Sequence, residues 1–162
     1  MRDYCKKFPN AQYRNVFITG SVGSGKSHLI SCMANEVLKK SETVQFLTSF
    51  AFGNQMLKAN FAPIDERESL ISPLLETDLL ILDDLGAEPV LNNITIEYLY
   101  LVLNERLIIG KNTVLTTNLS PADFLARYGS RVFSRAMDKK STYIAYMDGP
   151  DLRLNASGAT AK

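Results

Sequence analysis

Residues 15–27 read Asn15-Val16-Phe17-Ile18-Thr19-Gly20-Ser21-Val22-Gly23-Ser24-Gly25-Lys26-Ser27, an apolar burst that runs into a glycine-rich turn. Positions 20–27 match GxxxxGK[ST] at every fixed place. The apolar residues at 15–19 predict a buried strand. Beyond the turn, Leu29, Ile30, Met33, Ala34, Val37 and Leu38 recur one helical turn apart, which predicts an amphipathic helix over 27–40. Between strand and helix, such glycines let successive backbone N–H groups point inward at a phosphate. The helix N-terminus adds its partial positive charge. Lys26 is then placed for the β- and γ-phosphates, and the Ser27 hydroxyl for Mg²⁺. The expected ligands are ATP or ADP with Mg²⁺. The expected nucleotide contacts are Gly20, Ser21, Val22, Gly23, Ser24, Gly25, Lys26, Ser27 and His28. His28, on the first helical turn, is given no catalytic role.

The 162 residues fit one domain, expected over 1–154 with a small polar tail at 155–162. Eighteen Lys and Arg against 17 Asp and Glu leave a net charge of +1, so any nucleic-acid site must be a local patch. A composition of 46% hydrophobic and 22% charged residues excludes a disordered chain. Cys5, Cys32 and the single His28 are too few for a disulfide scaffold, a cysteine-rich zinc site or a histidine metal cluster. They point to a reducing compartment. Cys32 is expected in the core. The longest apolar run, Leu79 to Leu82, is far below the ~20 residues that span a bilayer, and the first ten residues lack a signal-peptide stretch. A cytoplasmic address without membrane contact is expected.

Further strands are predicted at 43–47, 78–82, 112–117 and 141–146. Residues 49–75 read as two helical pieces broken near Pro63 and Pro73. A helix over 93–109 takes Asn92 or Asn93 as its cap and ends at Gly110, and short helices fill 120–138. Continuous apolar strands between helices imply a parallel sheet covered on both faces, with the chemistry at the C-terminal strand ends. Tyr4, Phe8 and Tyr13 are read as core in preference to a base-stacking role. Phe46, Phe50, Phe52 and Phe61 are read as a face packed on the sheet in preference to one that stacks bases. Lys58, Arg67 and Lys111 are basic, but spacing selects none of them for a DNA path.

Leu79-Leu80-Ile81-Leu82-Asp83-Asp84 delivers two carboxylates from a buried strand, the pattern of a Walker B motif. Asp83 is the expected Mg²⁺ holder and Asp84 the group that orients or deprotonates the attacking water. Thr116-Thr117-Asn118 ends the next strand. Spacing leaves two readings of Asn118 open: contact with the γ-phosphate or lytic water, or the start of a helix at Pro121.

The strings GSVGSGKSHL, LLILDDLGAE and YGSRVFSRAMD, with the TTN at 116–118, together resemble the AAA+ ATPase domain of the bacterial replicative helicase loaders, the DnaC/DnaI family, over nearly the whole chain. The resemblance implies a three-layer α/β P-loop NTPase (AAA+) with a five-stranded parallel sheet in the order 5-1-4-3-2 and no helical lid. It implies that Asn118 is sensor 1, that Arg135 is an arginine finger completing a neighbouring subunit's site, and that Arg153 is a sensor 2 arginine. Without it, both arginines read as solvated surface charge. Arg131 lies one helical turn from Arg135. The implied activity is slow, assembly-dependent ATP hydrolysis, and the implied partners are a replicative DNA helicase, single-stranded DNA and further copies of this chain. Two departures stand out. The family's N-terminal helicase-binding region is absent, and Asp84 replaces the glutamate common in AAA+ enzymes, a shorter arm that would slow hydrolysis. An IstB-type transposition helper, a DnaA-type initiator and a nucleotide-dependent interaction module share most of these motifs.

Overall fold

The computed structural model describes residues 1–89, 91 and 94–151. The expected tail at 155–162, Arg153 and the caps Asn92 and Asn93 lie outside the described residues. The chain runs α1 (Arg2–Lys7), β1 (Asn15–Thr19), α2 (Lys26–Leu38), β2 (Val44–Thr48), α3 (Ser49–Phe61), α4 (Ile64–Glu76), β3 (Leu79–Leu85), α5 (Ile94–Ile108), β4 (Asn112–Thr117), α6 (Pro121–Ala136) and β5 (Thr142–Tyr146). All strand pairs are parallel, in the order β2-β3-β4-β1-β5, which is the expected 5-1-4-3-2 read from the other edge. Among the described residues, no helix follows β5, and none is long and apolar enough to cross a membrane.

The strands split their apolar residues between two faces with the two-residue period of the pleat. Val16, Ile18, Leu79, Ile81 and Val114 face α1 and α2, where Cys5, Phe8, Ile30, Met33 and Val37 meet them. Phe17, Leu80, Leu82 and Leu115 face α3 to α6, against Phe52, Met56, Leu74, Leu99, Phe124 and Val132. These are the two helical layers of a doubly covered sheet.

Several expectations are corrected. Cys32 is exposed, and Cys5 is the buried cysteine because it lies on α1, a short helix the periodicity did not show. Pro63 separates α3 from α4, but Pro73 lies inside α4. A proline in the last turn removes a single N–H, and the buried Leu74 keeps that turn on the core. Of the four phenylalanines read as one packed face, only Phe52 is in the core, while Phe50 and Phe61 are exposed. The short helices expected over 120–138 are borne out: α6 is two helical pieces that meet at Gly129, where φ is 77°. Ser120 caps it by accepting the Asp123 N–H, with Pro121 in the first turn.

The third strand runs three residues past its expected end, and the extension contains a bulge. Leu82 pairs with Leu115 and Leu85 with Thr117, so three steps on β3 oppose two on β4. Asp83 and Asp84 occupy the irregularity, and Asp84 has φ 60°. The bulge returns Leu85 to the face that holds Leu82, and it re-aims the side chains between them.

Arg106 of α5 is fully buried and ties this layer together. Its Nε donates to Thr113 Oγ1 at 3.0 Å. Its Nη1 donates to the carbonyls of Leu74 (2.7 Å), Leu75 (3.1 Å) and Thr77 (2.9 Å), and Nη2 to that of Asn112 (2.5 Å). One guanidinium thus caps the orphan carbonyls at the end of α4. Burial pushes its pKa down to about 10, so it stays charged at neutral pH. Nearby, Asp78 bonds Lys111 and Thr43. Hydrogen bonds from Lys111 and then Thr43 hold its carboxyl well below the usual carboxylate range.

Arg106→Met strands these acceptors. It should cost about 3–5 kcal/mol and lower Tm by roughly 10 °C or more, with Arg106→Lys intermediate; a Met variant as stable as wild type would contradict the capping role. Because the Asp78 pKa is depressed on folding, its contribution is present above the unfolded value of ~4 and is lost as pH falls below it. Asp78→Asn should therefore flatten the acid limb of the stability curve measured by urea unfolding between about pH 5 and pH 2.

Candidate functional site

The motif residues converge at the C-terminal ends of β1, β3 and β4. A cleft of about 730 Å³ is lined there by Val22, Gly23, Ser24, Gly25, Lys26, Ser27 and His28, by Thr48, Ser49 and Phe50 from the β2–α3 junction, and by Asp83, Asp84, Ala87, Thr116 and Asn118. Gly25, with φ 91°, is the N-cap of α2, so the turn enters the helix through a left-handed residue. Gly20 has φ 148°, and a Cβ there would stand 2.0 Å from the Met147 carbonyl oxygen. Only glycine lets the turn pass so close to the chain that leaves β5. That chain also binds the turn: the Ser21 N–H donates to Asp148 at 3.1 Å, and Ser21 Oγ to the Gly149 carbonyl at 3.1 Å.

Lys26 is buried, with Nζ donating to the carbonyls of Gly20 (2.8 Å) and Ser21 (2.7 Å) and to Asn118 Oδ1 (2.5 Å). The other end of the same carboxamide donates from Nδ2 to Asp84 Oδ1 at 2.7 Å. Asn118 therefore bridges the ammonium and the carboxylate, and Ser120 alone starts the next helix. Of the two readings of Asn118 that spacing left open, the helix start falls to Ser120, and Asn118 itself lines the cleft.

Thr116, with no exposed surface, organises the two aspartates. Its hydroxyl donates to Asp83 Oδ1 at 2.5 Å and accepts the Asp84 N–H at 2.9 Å. Ser49 Oγ donates to the Asp84 carbonyl at 2.8 Å. Thr116 was visible in the sequence as part of TTN, but Ser49 was not, because nothing in a helix-start serine announces a contact 35 positions away. His28 lines the cleft with Nε2 3.8 Å from Cys32 Sγ, so its place is at the rim.

The site's chemistry fits phosphate and a hard cation. The Ser24 hydroxyl is buried with no hydrogen-bond partner among the described residues. An orphan donor in a glycine-rich turn beside a lysine suits a phosphate oxygen. Ser27 and Asp83 bring a hydroxyl and a carboxylate to the same cleft, the oxygen donors that Mg²⁺ prefers.

The arginine candidates lie on α6, beyond the Gly129 kink, against α5. Arg135 Nε donates to Asn104 Oδ1 at 2.9 Å. Arg131 is mostly exposed, sits 4.1 Å over the Tyr100 ring and is 3.7 Å from Glu97. Hydrogen bonds from Arg131 and then Arg135 pull the Tyr100 phenol below its ordinary pKa. The cleft lining includes neither arginine.

Residues 3–139 match the family described as the bacterial DnaA ATPase domain. The phage-like element PBSX protein XkdC of Bacillus subtilis (strain 168) is 27% identical over 157 residues, 94% of this chain and 57% of its own length. The chain spans about half the length of such curated relatives. A solved structure of the DnaC helicase loader superposes with a TM-score of 0.77 at 22% identity, over 90% of this chain and 85% of the other. The replication initiator DnaA, solved with AMPPCP and single-stranded DNA, gives 0.76 at 21%, over 92% and 44%. The P-loop and the paired aspartates thus occur in an AAA+ fold shared with initiators and loaders alike, and the chain belongs to the bacterial DnaA ATPase domain family.

Proposed function

We propose that this chain is the ATP-hydrolysing AAA+ module of a helicase loader, which helps place a replicative DNA helicase on single-stranded DNA. The observation that carries the hydrolytic reading is the Lys26–Asn118–Asp84 chain of hydrogen bonds beside the glycine-rich turn. The turn's N–H groups and the α2 N-terminus take the phosphates, and Lys26 turns toward the β- and γ-phosphates. Mg²⁺, held by Ser27 and Asp83, supplies charge neutralisation at the phosphate oxygens. Asn118 orients a water against the γ-phosphorus. Asp84 accepts its proton as the new P–O bond forms and the bond to the bridging oxygen breaks, with ADP leaving. The Asp84 carboxylate and the Asn118 amide are in direct contact at 2.7 Å, which puts both groups within reach of one water at the mouth of the cleft.

Arg135 acts on a neighbouring copy's γ-phosphate, and the outward position of the α6 segment beyond Gly129 supports this. The loader reading draws on the strings GSVGSGKSHL, LLILDDLGAE and YGSRVFSRAMD, which resemble those of the helicase loaders. A second reading, a DnaA-type module that assembles on DNA without handling a helicase, is favoured by the family match itself. Pull-down of a purified replicative helicase, with ATP and single-stranded DNA present, separates the two: capture supports the loader, and DNA-dependent assembly without capture supports the initiator type. Capture of a transposase instead would point to the IstB type.

Lys26→Ala should weaken binding of a fluorescent ATP analogue by roughly 10–100-fold, the loss of one charge-assisted contact worth ~1.5–3 kcal/mol; unchanged affinity would remove the site. Asp84→Asn should bind Mg-ATP and turn it over at least ~100-fold more slowly, whereas Asp83→Asn should chiefly weaken the Mg²⁺ dependence of binding. If the two behave the other way round, their roles are exchanged.

Arg135→Ala should bind ATP nearly normally and lose assembly-dependent turnover, since a finger is worth ~10³–10⁵ in rate. Mixing Arg135→Ala with Asp84→Asn protein should restore activity, because the first keeps its aspartate and borrows the second's arginine. Mixed assemblies that form and stay inactive would refute a role across the interface, and rescue with Arg131→Ala in place of Arg135→Ala would move the finger to Arg131.

A further inference from the structure

The turn after β3 holds a buried carboxylate that none of these steps uses. Glu88 is 2% exposed. Its Oε2 accepts the Gly86 N–H at 2.9 Å, and its Oε1 accepts the Tyr128 hydroxyl. Arg127 Nη2 donates to the Glu88 carbonyl and lies 3.7 Å from Oε1. The Tyr128 hydroxyl is pushed above its ordinary pKa, by burial first and by Glu88 second, so it stays a donor at any working pH. A carboxylate this buried is costly unless paired and hydrogen-bonded, and here each oxygen has its donor.

The loop that Glu88 closes begins at Asp84. The Ala87 N–H donates to the Asp84 carbonyl at 3.2 Å, and the Thr117 hydroxyl donates to the Leu85 carbonyl at 2.5 Å. Gly86 has φ 107°, and a Cβ there would stand 2.8 Å from Leu119. Asp84 has φ 60°, a conformation that costs a non-glycine residue about 1–2 kcal/mol. Such strain persists only where the surroundings over-determine it. The bond that fixes Gly86 from the far side comes from Glu88. Tyr128, its other partner, is the last residue of α6 before the Gly129 kink, so the carboxylate fastens the aspartate loop to the near half of that helix. The half that carries Arg131 and Arg135 begins beyond the kink.

We infer that Glu88 is a positioning residue for Asp84: by tying Gly86 to Tyr128, it holds Asp84 in the left-handed conformation that aims its carboxylate at Asn118. The effect on turnover rests on the hydrolytic reading above; the effect on Asp84's conformation does not.

Two substitutions test it. Glu88→Gln puts an amide N–H where Gly86 or Tyr128 needs an acceptor, and Tyr128→Phe removes one hydroxyl. Leu74→Ala, at the buried residue of α4 and outside the hydrogen bonds of the loop, serves as a destabilised control. The first readout is the ¹³Cα and ¹³Cβ chemical shifts of Asp84 in labelled protein, which report its backbone conformation. Both loop variants should move them toward ordinary extended values, and Leu74→Ala should not; unmoved shifts in the folded variants overturn the inference. The second readout is turnover. Glu88→Gln should lower kcat at least ~10-fold with ATP affinity within about twofold, a split that general destabilisation does not produce. Added to Asp84→Asn, it should cost nothing further, because it acts through Asp84. A full multiplicative loss in the double variant, or shifts that move with kcat unchanged, overturns the positioning role. If Glu88→Gln fails to fold, Tyr128→Phe carries both readouts. Wild-type protein that does not hydrolyse ATP refutes the hydrolytic reading, and the Asp84 shifts then decide the role of Glu88.

Discussion

One carboxamide stands between a buried ammonium and a carboxylate at the top of the sheet. Asn118 faces Lys26 with its oxygen and Asp84 with its nitrogen, the single orientation in which both neighbours are satisfied. The three residues come from three elements: the helix after β1, the end of β3 and the end of β4. They meet because β1 pairs with β4 through Thr19–Thr117, and β4 pairs with β3 through Leu85–Thr117 after the bulge. A one-residue slip of β3 against β4 would turn the aspartates to the other face. Sheet register thus fixes the charge arrangement, and the charge arrangement determines what chemistry the cleft suits.

The architecture was legible because parallel strands buried on both faces announce themselves. NVFIT and NTVLTT were bounded to the residue, and the glycine-rich turn located the cleft. What stayed hidden was set by tertiary contact. Pro73 reads as a breaker, yet Arg106 holds the carbonyls around it, and no local pattern marks an arginine as fully buried. Cys32 has helical spacing that suits the core, but α2 turns it outward, while Cys5 is buried by a short helix lacking periodicity. The bulge at Asp83 and Asp84 leaves no compositional trace, because it depends on pairing with β4. Glu88 stands in LLILDDLGAE without a role of its own until Tyr128, 40 positions later, is placed beside it. The strand end at 116–118 already singled out Asn118, whereas Arg135 follows only from the likeness to helicase loaders; Asn118 lines the cleft and Arg135 lies at the α5–α6 contact.

Three of the buried charged residues, Arg106, Lys26 and Glu88, have separate tasks. Arg106 is neutralised by backbone carbonyls and serves the scaffold. Lys26 holds two carbonyls of its own turn, contacts that are weak beside those a triphosphate offers, so it is poised to change partners. Glu88 joins the aspartate loop to Tyr128, one residue before the Gly129 kink and the segment that carries Arg131 and Arg135.

The most direct measurement is a crystal structure with a non-hydrolysable ATP analogue and Mn²⁺ in place of Mg²⁺, read by anomalous scattering. The β- and γ-phosphates should lie on the turn of residues 20–27 with Lys26 Nζ moved onto them, and the Mn²⁺ peak should stand beside the Ser27 hydroxyl on the Asp83 side. A nucleotide bound elsewhere, or a metal peak away from Ser27 and Asp83 with Lys26 still on the Gly20 and Ser21 carbonyls, would contradict the assignment of this cleft.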